Sequence, residues 1–261
     1  GTMQTAEKSV RRVAVLAGMT VWACLSTACA PKPITIEARF DPKVLDEWAV
    51  LLAEAVPGAK VSFVSGQQPE PADILMEGDR ASFTAQQQQG AFLCSPGKVA
   101  PPTVDPAWVD PDGCFAAFRV SLHVIAYHTQ AVPPRELPER WKELNTPRWA
   151  GKVGTNVQEL EKGTFPLATV FLEEVLRAQK RGAPIRALYP LDGLRAEGWP
   201  VAIRKQTLYP EVARKVALWL FTPVAQNSLV RAGYYSSVNG MAYPHGARPW
   251  GEVKRTIAPL K

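Results

Sequence analysis

Apolar and polar residues alternate from Ile34 to Phe40 (ITIEARF), the pattern of a strand with one face in a core and one in solvent. Asp41-Pro42 then sets a cap and a first-turn proline in the order that starts a helix. Val44, Leu45, Trp48, Leu51, Leu52 and Ala55 follow at helical spacing, and Pro57-Gly58 ends the run. A second strand is expected over Lys60 to Val64, which makes a βαβ unit and implies a parallel strand pair. Pro71 to Leu75 reads as a third strand, and Ser82 to Gln89 as a helix with a solvated glutamine face. The stretch from Phe92 to Trp108 reads as loop. Beyond the Asp112-Gly113 turn comes a long apolar strand ending HVIAYH at His128. Pro133, Pro134 and Pro138 stiffen the next connection, which leads to one short amphipathic helix around Trp141 and a new strand at Gly151. Residues 152 to 181 have room for one strand and one helix, the helix being placed over Leu167 to Arg181 because Leu167, Val170, Phe171, Glu174, Val175 and Ala178 share a side.

Composition adds class and compartment. The chain has 261 residues, 46% apolar and 21% charged, which suits one large or two small globular domains. Its 24 prolines favour stiff loops over long helices. Residues 1 to 28 pattern as an export signal: Lys8, Arg11 and Arg12 precede the apolar run Val13 to Leu25, and small residues lead to Cys29. The apolar run is short for a bilayer span. Cys29 is the candidate lipid attachment site, with ordinary signal cleavage and a retained anchor as the other outcomes. Without residues 1 to 28 there are 27 basic and 23 acidic residues, a balance that suits anionic ligands or lipid headgroups. The basic residues are scattered and carry no nucleic-acid motif, so no nucleic-acid partner is expected. Cys94 and Cys114 are the one cysteine pair beyond the signal, and in an exported chain such a pair points to a disulfide; two buried thiols is the other reading.

A resemblance adds to this. Asp110-Pro111-Asp112-Gly113, the strand closing on Tyr127, the run VPPRELPERWKEL from Val132 and PRWAGKV from Pro147 stand in the order found in bacterial extracellular solute-binding proteins of ABC importers, the ferric-iron type in particular. Pro71-Ala72-Asp73 is similar to the family's PADV, GAPIRALYPLDG from Gly182 to its late-lobe GAPVxxVYPxDG, and Tyr209 to Gln226 to its HPExAxxxxxFLxSPxxQ helix. The resemblance implies an α/β, two-lobed, type II periplasmic-binding-protein-like fold. Its second lobe is abbreviated, since only 30 residues separate Gly151 from Gly182. The implied organisation is a signal over 1–28, a tether over 29–33, a first α/β lobe over 34–127, a crossover and shortened second lobe over 128–203, and C-terminal helices and tail over 204–261.

The resemblance implies capture of a small-molecule or ion ligand, anionic or metal-containing, for an ABC permease of the inner membrane, with the protein lipid-anchored in the periplasm or on the extracytoplasmic face of a membrane. The second possibility is a degenerate lipoprotein adaptor in another envelope protein complex, using a surface in which Trp141, Trp149, Trp199, Trp219 and Trp250 take part. Candidate ligand contacts are Ser65 and Gly66 after the second strand, Glu77 and Asp79 after the third, Arg119 and Tyr127 near the crossover, and Thr155 in the second lobe. Ser65-Gly66 lies where open α/β sheets bind ligands, and Arg119 offers a fork for an anion. No metal site or cofactor is expected. His123 and His128 fall on opposite faces of a strand, Arg39-Phe40-Asp41 lacks the histidine found there in some ferric binders, and Tyr234-Tyr235 reads as packing or cleft rim. No nucleophile, zinc or phosphate-loop motif supports an enzyme, and Glu173-Glu174 reads as a solvated helix face.

Overall fold

The computed structural model describes residues 30–76 and 80–258. Cys29, Glu77 and Asp79 therefore lie outside the described residues. Ten strands form one sheet: β1 (Lys32–Ala38), β2 (Ala59–Val64), β3 (Ile74–Met76), β4 (Ala116–His128), β5 (Val153–Gly154), β6 (Leu167–Phe171), β7 (Ile185–Leu188), β8 (Leu194–Ile203), β9 (Tyr235–Ser236) and β10 (Arg255–Ile257). The main path runs β2-β1-β3-β8-β4-β6-β5. Among the described residues six α-helices accompany it: α1 (Pro42–Ala55), α2 (Arg80–Gln88), α3 (Val157–Glu161), α4 (Leu172–Lys180), α5 (Pro210–Trp219) and α6 (Pro223–Arg231).

The expected βαβ unit is present, with β1 parallel to both β2 and β3. Asp41 caps α1 by accepting from Lys43 N–H at 3.0 Å, with Pro42 in the first turn. Trp48, fully buried on the inner side of α1, packs against Phe40, Phe118 and Trp219 and donates from Nε1 to the Ala225 carbonyl at 3.2 Å. One stretch thus draws the first helix, the central sheet and both late helices into a single core. β1 begins at Lys32, inside the stretch expected to be a tether.

β4 is the spine of the molecule. Its 13 residues, about 43 Å at ~3.3 Å per residue, pair antiparallel with β8 over Ala116 to His123, and with β7 and β6 beyond that point. The first half of the molecule (β1, β2, β3, β8) and the second (β5, β6, β7, α3, α4) therefore share a strand, and the crossover is the strand itself. One irregularity matters for the site. Ala117 faces Pro200 and Arg119 faces Trp199, so Phe118 is an extra residue in β4, a β-bulge. Gly198 sits beside it, where an added Cβ would stand 2.8 Å from both Ala117 and Trp108. The buried Gln226 of α6 fixes the bulge by donating to the Phe118 carbonyl at 3.0 Å and the Leu220 carbonyl at 2.6 Å, while its own oxygen accepts from Ser236.

Several expectations need correction. The amphipathic helix around Trp141 is a pair of short 3-10 turns, Pro134–Glu136 and Trp141–Asn145. Prolines deny this stretch the backbone donors that a longer helix requires. Residues 152 to 181 hold two strands and two helices, since Leu167–Phe171 is β6 and Asn156 caps α3 by accepting from Glu159 N–H. The five-residue run Leu-Ala-Thr-Val-Phe fits either period, and its β-branched and aromatic residues favour the sheet. The second half is small but complete as an α/β layer, with Ile125, Tyr127, Val132, Trp149 and Leu167 as its own cluster. The tryptophans do not form a surface: Trp219 and Trp149 are buried, Trp141 donates from Nε1 to the Gly193 carbonyl, and Trp250 packs on Tyr235.

Cys94 and Cys114 are joined as a disulfide, 20 residues apart. Ser95 N–H donates to the Gly113 carbonyl, and a Cβ on Gly113 (φ 70°) would stand 2.5 Å from the Pro96 nitrogen, so only glycine lets the two arms meet. Replacing both cysteines with alanine is expected to lower the unfolding free energy by about 3 kcal/mol through the released loop. Urea titration of oxidised wild type and the double variant measures this, and equal midpoints would show that the bridge constrains nothing.

Candidate functional site

The two halves meet at Arg119. The bulge turns its side chain to the same side as that of Phe118, so both consecutive residues contact Phe40. Only about 5% exposed, the guanidinium lies 4.8 Å from the centre of the Phe40 ring, 4.7 Å from Trp199 and 4.5 Å from Tyr234. Three aromatic faces around one cation favour its charge. Arg119 also donates to Ser121 Oγ at 2.9 Å and reaches Glu173 Oε1 at 3.4 Å.

Glu173 comes from the first turn of α4 and is buried, contrary to the expected solvated face. Its neighbour Glu174 accepts from the Phe171 N–H at 2.9 Å and closes the helix start, while Glu173 turns inward to the spine. Ser121 settles the proton arrangement. Its hydroxyl oxygen has two acceptor sites, and these are taken by Arg119 and by Trp199 Nε1–H at 2.9 Å. The single hydroxyl proton therefore goes to Glu173 Oε1. Burial pushes the Glu173 carboxyl above its usual range, against the opposing pull of Arg119, the Ser121 hydroxyl and Arg177.

Arg177, one turn further along α4, donates to the Tyr234 hydroxyl at 2.9 Å and pairs with Asp41 at 3.6 Å. Burial raises the Tyr234 phenol, and the Tyr235 phenol likewise, so both stay protonated at neutral pH. Tyr235 donates the other way, to the Arg248 carbonyl. The adjacent tyrosines therefore serve different neighbours, as packing requires and a shared metal ion does not. Among the described residues no group of three or more His, Cys, Asp or Glu side chains is placed to hold a metal ion. His123 instead pairs with Glu197 at 2.8 Å and stacks on Phe171, and His128 Nδ1 accepts from Gln130 N–H.

Of the contacts expected from sequence, Arg119 stands in this network and others do not. Ser65 and Gly66 lie beside it: the Ser65 carbonyl accepts from Arg39 Nε at 3.2 Å, next to Phe40 and Asp41, and Gly66 N–H donates to Gln68. Gly66 (φ 90°) also packs against Glu37, whose carboxylate would stand 3.0 Å from an added Cβ. Tyr127, eight residues along β4 and roughly 26 Å from Arg119 at ~3.3 Å per residue, is buried in the second half's cluster. There it borders an open concavity of about 620 Å³ with Thr129, Pro134, Gln179, Pro184 and Arg186. Thr155 is exposed, one residue before the Asn156 cap of α3. Sequence reasoning missed Ser121, Trp199, Glu173 and Arg177 as a set. The one signal for Arg119's neighbours was the bulge, and bulges leave no trace in apolar periodicity.

Comparison with known proteins bears on the fold. Residues 69–174 match the family model described as bacterial extracellular solute-binding protein. The iron uptake protein A1 of Synechocystis is 29% identical over 108 residues, which cover 37% of this chain and 30% of that protein, so the match spans under a third of the relative's length. The apo ferric ion-binding protein A of Pasteurella haemolytica superposes with a TM-score of 0.75 at 14% identity, covering 88% of this chain and 92% of the other. Trichodesmium IdiA (FutA), in complex with iron and citrate ligands, superposes with a TM-score of 0.69 at 16% identity over 87% of this chain and 92% of the other. At these identities the structures establish the fold, a two-lobed periplasmic-binding-protein architecture. The matched proteins are described as binding and uptake proteins.

Proposed function

Because the chain is a relative of the bacterial extracellular solute-binding proteins over 69–174 and carries their fold, we propose that it captures a small anionic solute outside the cytoplasm and delivers it to an ABC permease. The observation that carries the ligand class is the cationic rim of the junction. Arg177, with its side chain about 42% exposed, pairs with Asp41 at 3.6 Å, and Arg39, exposed two residues before Asp41 in sequence, donates to the Ser65 carbonyl beside Gly66. Guanidinium groups take carboxylates and phosphates as planar forks. A ferric ion that arrives with its own anions, such as a citrate chelate, suits these guanidinium groups better than a bare ion, since among the described residues no group of three or more His, Cys, Asp or Glu side chains is placed to hold one. Glu77, Asp79 and Thr155 are proposed as further ligand contacts, with Tyr127 at the open concavity of the second half. The division proposed is 34–127, 128–203 and 204–261, with β4 common to both halves and β8 (Leu194–Ile203) returning to the first, and Cys29 is proposed to carry the lipid that holds the chain at the membrane.

Protein purified without refolding is to be weighed by native mass spectrometry and melted with ferric citrate, citrate, phosphate, a phosphonate, a sugar phosphate, a neutral sugar and a polyamine. One or more of the anions is expected to co-purify or to raise the melting temperature by several degrees, while the neutral sugar and polyamine leave it unchanged. No bound species and no shift with any anion would overturn ligand capture and leave the adaptor reading. Exchange of Cys29 for serine is expected to move the protein from the membrane to the soluble fraction.

A further inference from the structure

The centre of the junction is already full. A solute-binding protein closes when groups from both lobes find a shared partner between them, and here Arg119 is such a partner. Phe40 reaches it from the β1–α1 corner, Glu173 from α4, Tyr234 from the turn after α6, and Trp199 from the neighbouring strand. Cation, aromatic faces and carboxylate are arranged as they would be around a bound guanidinium compound. The ligand, though, is a side chain of the spine strand.

We propose that Arg119 is an internal ligand: its guanidinium clamps Phe40 of the first half to Glu173 of the second, so that the halves are held closed with no solute present. The clamp is continuous with a second contact, Asp41 to Arg177 to the Tyr234 hydroxyl, which also joins the β1–α1 corner to α4. Gly233 brings the chain against the same helix turn, with an added Cβ 3.9 Å from Glu173 and Leu176. Opening must break the Glu173 contacts to Arg119 and Ser121 together, because Ser121 shares its oxygen with both Arg119 and Trp199. Solute then meets a closed junction at its rim, and the shapes with and without solute are alike. The clamp stands on these contacts and not on the solute's identity, so its test uses no solute and its outcome is separate from that of ligand capture.

Amide hydrogen exchange on the full chain tests it, using Glu173→Gln, which keeps the side chain's shape, and Arg119→Ala. In both, amides of α3 and α4 are expected to exchange at least tenfold faster than in wild type, while those of α1 and β2 stay within about twofold. Guanidinium chloride at 20 mM is expected to restore α4 protection in Arg119→Ala, where the same concentration of sodium chloride does not. Solution scattering of the wild type is expected to fit the closed shape. Unchanged α4 exchange in Glu173→Gln, equal acceleration throughout the chain, absence of rescue in a folded Arg119→Ala, or wild-type scattering that fits only separated halves would each overturn the proposal. If Arg119→Ala fails to fold, the Glu173→Gln exchange and the wild-type scattering decide it.

Discussion

Replacing Arg119 with methionine lowers the unfolding free energy at pH 7 by about 3–5 kcal/mol, the cost of leaving a buried charge without its partner. Both side chains of the pair are over nine-tenths buried, so solvent does little to screen the loss. The double replacement of Arg119 and Glu173 by methionine is expected to recover most of it, because an apolar pair of similar volume needs no desolvated charge. The pH dependence carries a definite sign. Glu173 titrates above its ordinary value in the folded protein, facing Arg119, Arg177, the Ser121 hydroxyl and Tyr234. A group raised on folding contributes its stabilisation below the unfolded pKa of about 4.5, and that contribution is lost as pH rises through the folded value. Removing Arg119 takes away the strongest influence holding that value down, so the deficit of the single variant is smaller at pH 4 than at pH 7. Urea titrations of wild type and both variants at the two pH values read this directly, and a deficit independent of pH would show that Glu173 does not sense Arg119.

Trp48→Ala is expected to cost a similar amount, about 3–5 kcal/mol. The ring is fully buried where α1, β4, α5 and α6 converge, 6.0 to 6.2 Å from the rings of Phe40, Phe118 and Trp219. Its loss leaves both a cavity and the buried Ala225 carbonyl without the donor it now has. Trp48→Phe, which fills more of the space and still lacks the N–H, should fall between alanine and wild type. Chemical denaturation ranks the three, and an alanine variant within about 1 kcal/mol of wild type would mean that the core closes around the gap.

The βαβ unit, the cap at Asp41 and the cysteine pair were legible because each depends on residues adjacent in sequence or on simple pairing. The two-lobed architecture came from ordered motifs, and the fold comparisons agree. The expected single helix over Leu167 to Arg181 mistook a strand for its first turn, since Leu167, Val170 and Phe171 satisfy helical spacing by coincidence. Glu173 was hidden for a related reason. Two adjacent glutamates at a helix start look alike in sequence, and which one caps the helix and which turns inward depends on Arg119 and Ser121, more than fifty residues earlier. Tyr127 was legible only as the end of an apolar strand; that strand belongs to both halves, and Tyr127 serves the second half's core while bordering the open concavity beside Thr129 and Arg186.

The extra residue at Phe118 carries a consequence for how this segment can drift over time. Upstream of it, odd and even positions of β4 address the two sides of the sheet in one order, and downstream in the other. Loss of a single codon between Ala117 and Arg119 would straighten the pleat and exchange the sides for every residue on one flank, so a change in length here disturbs a whole strand where a substitution disturbs the contacts of one side chain.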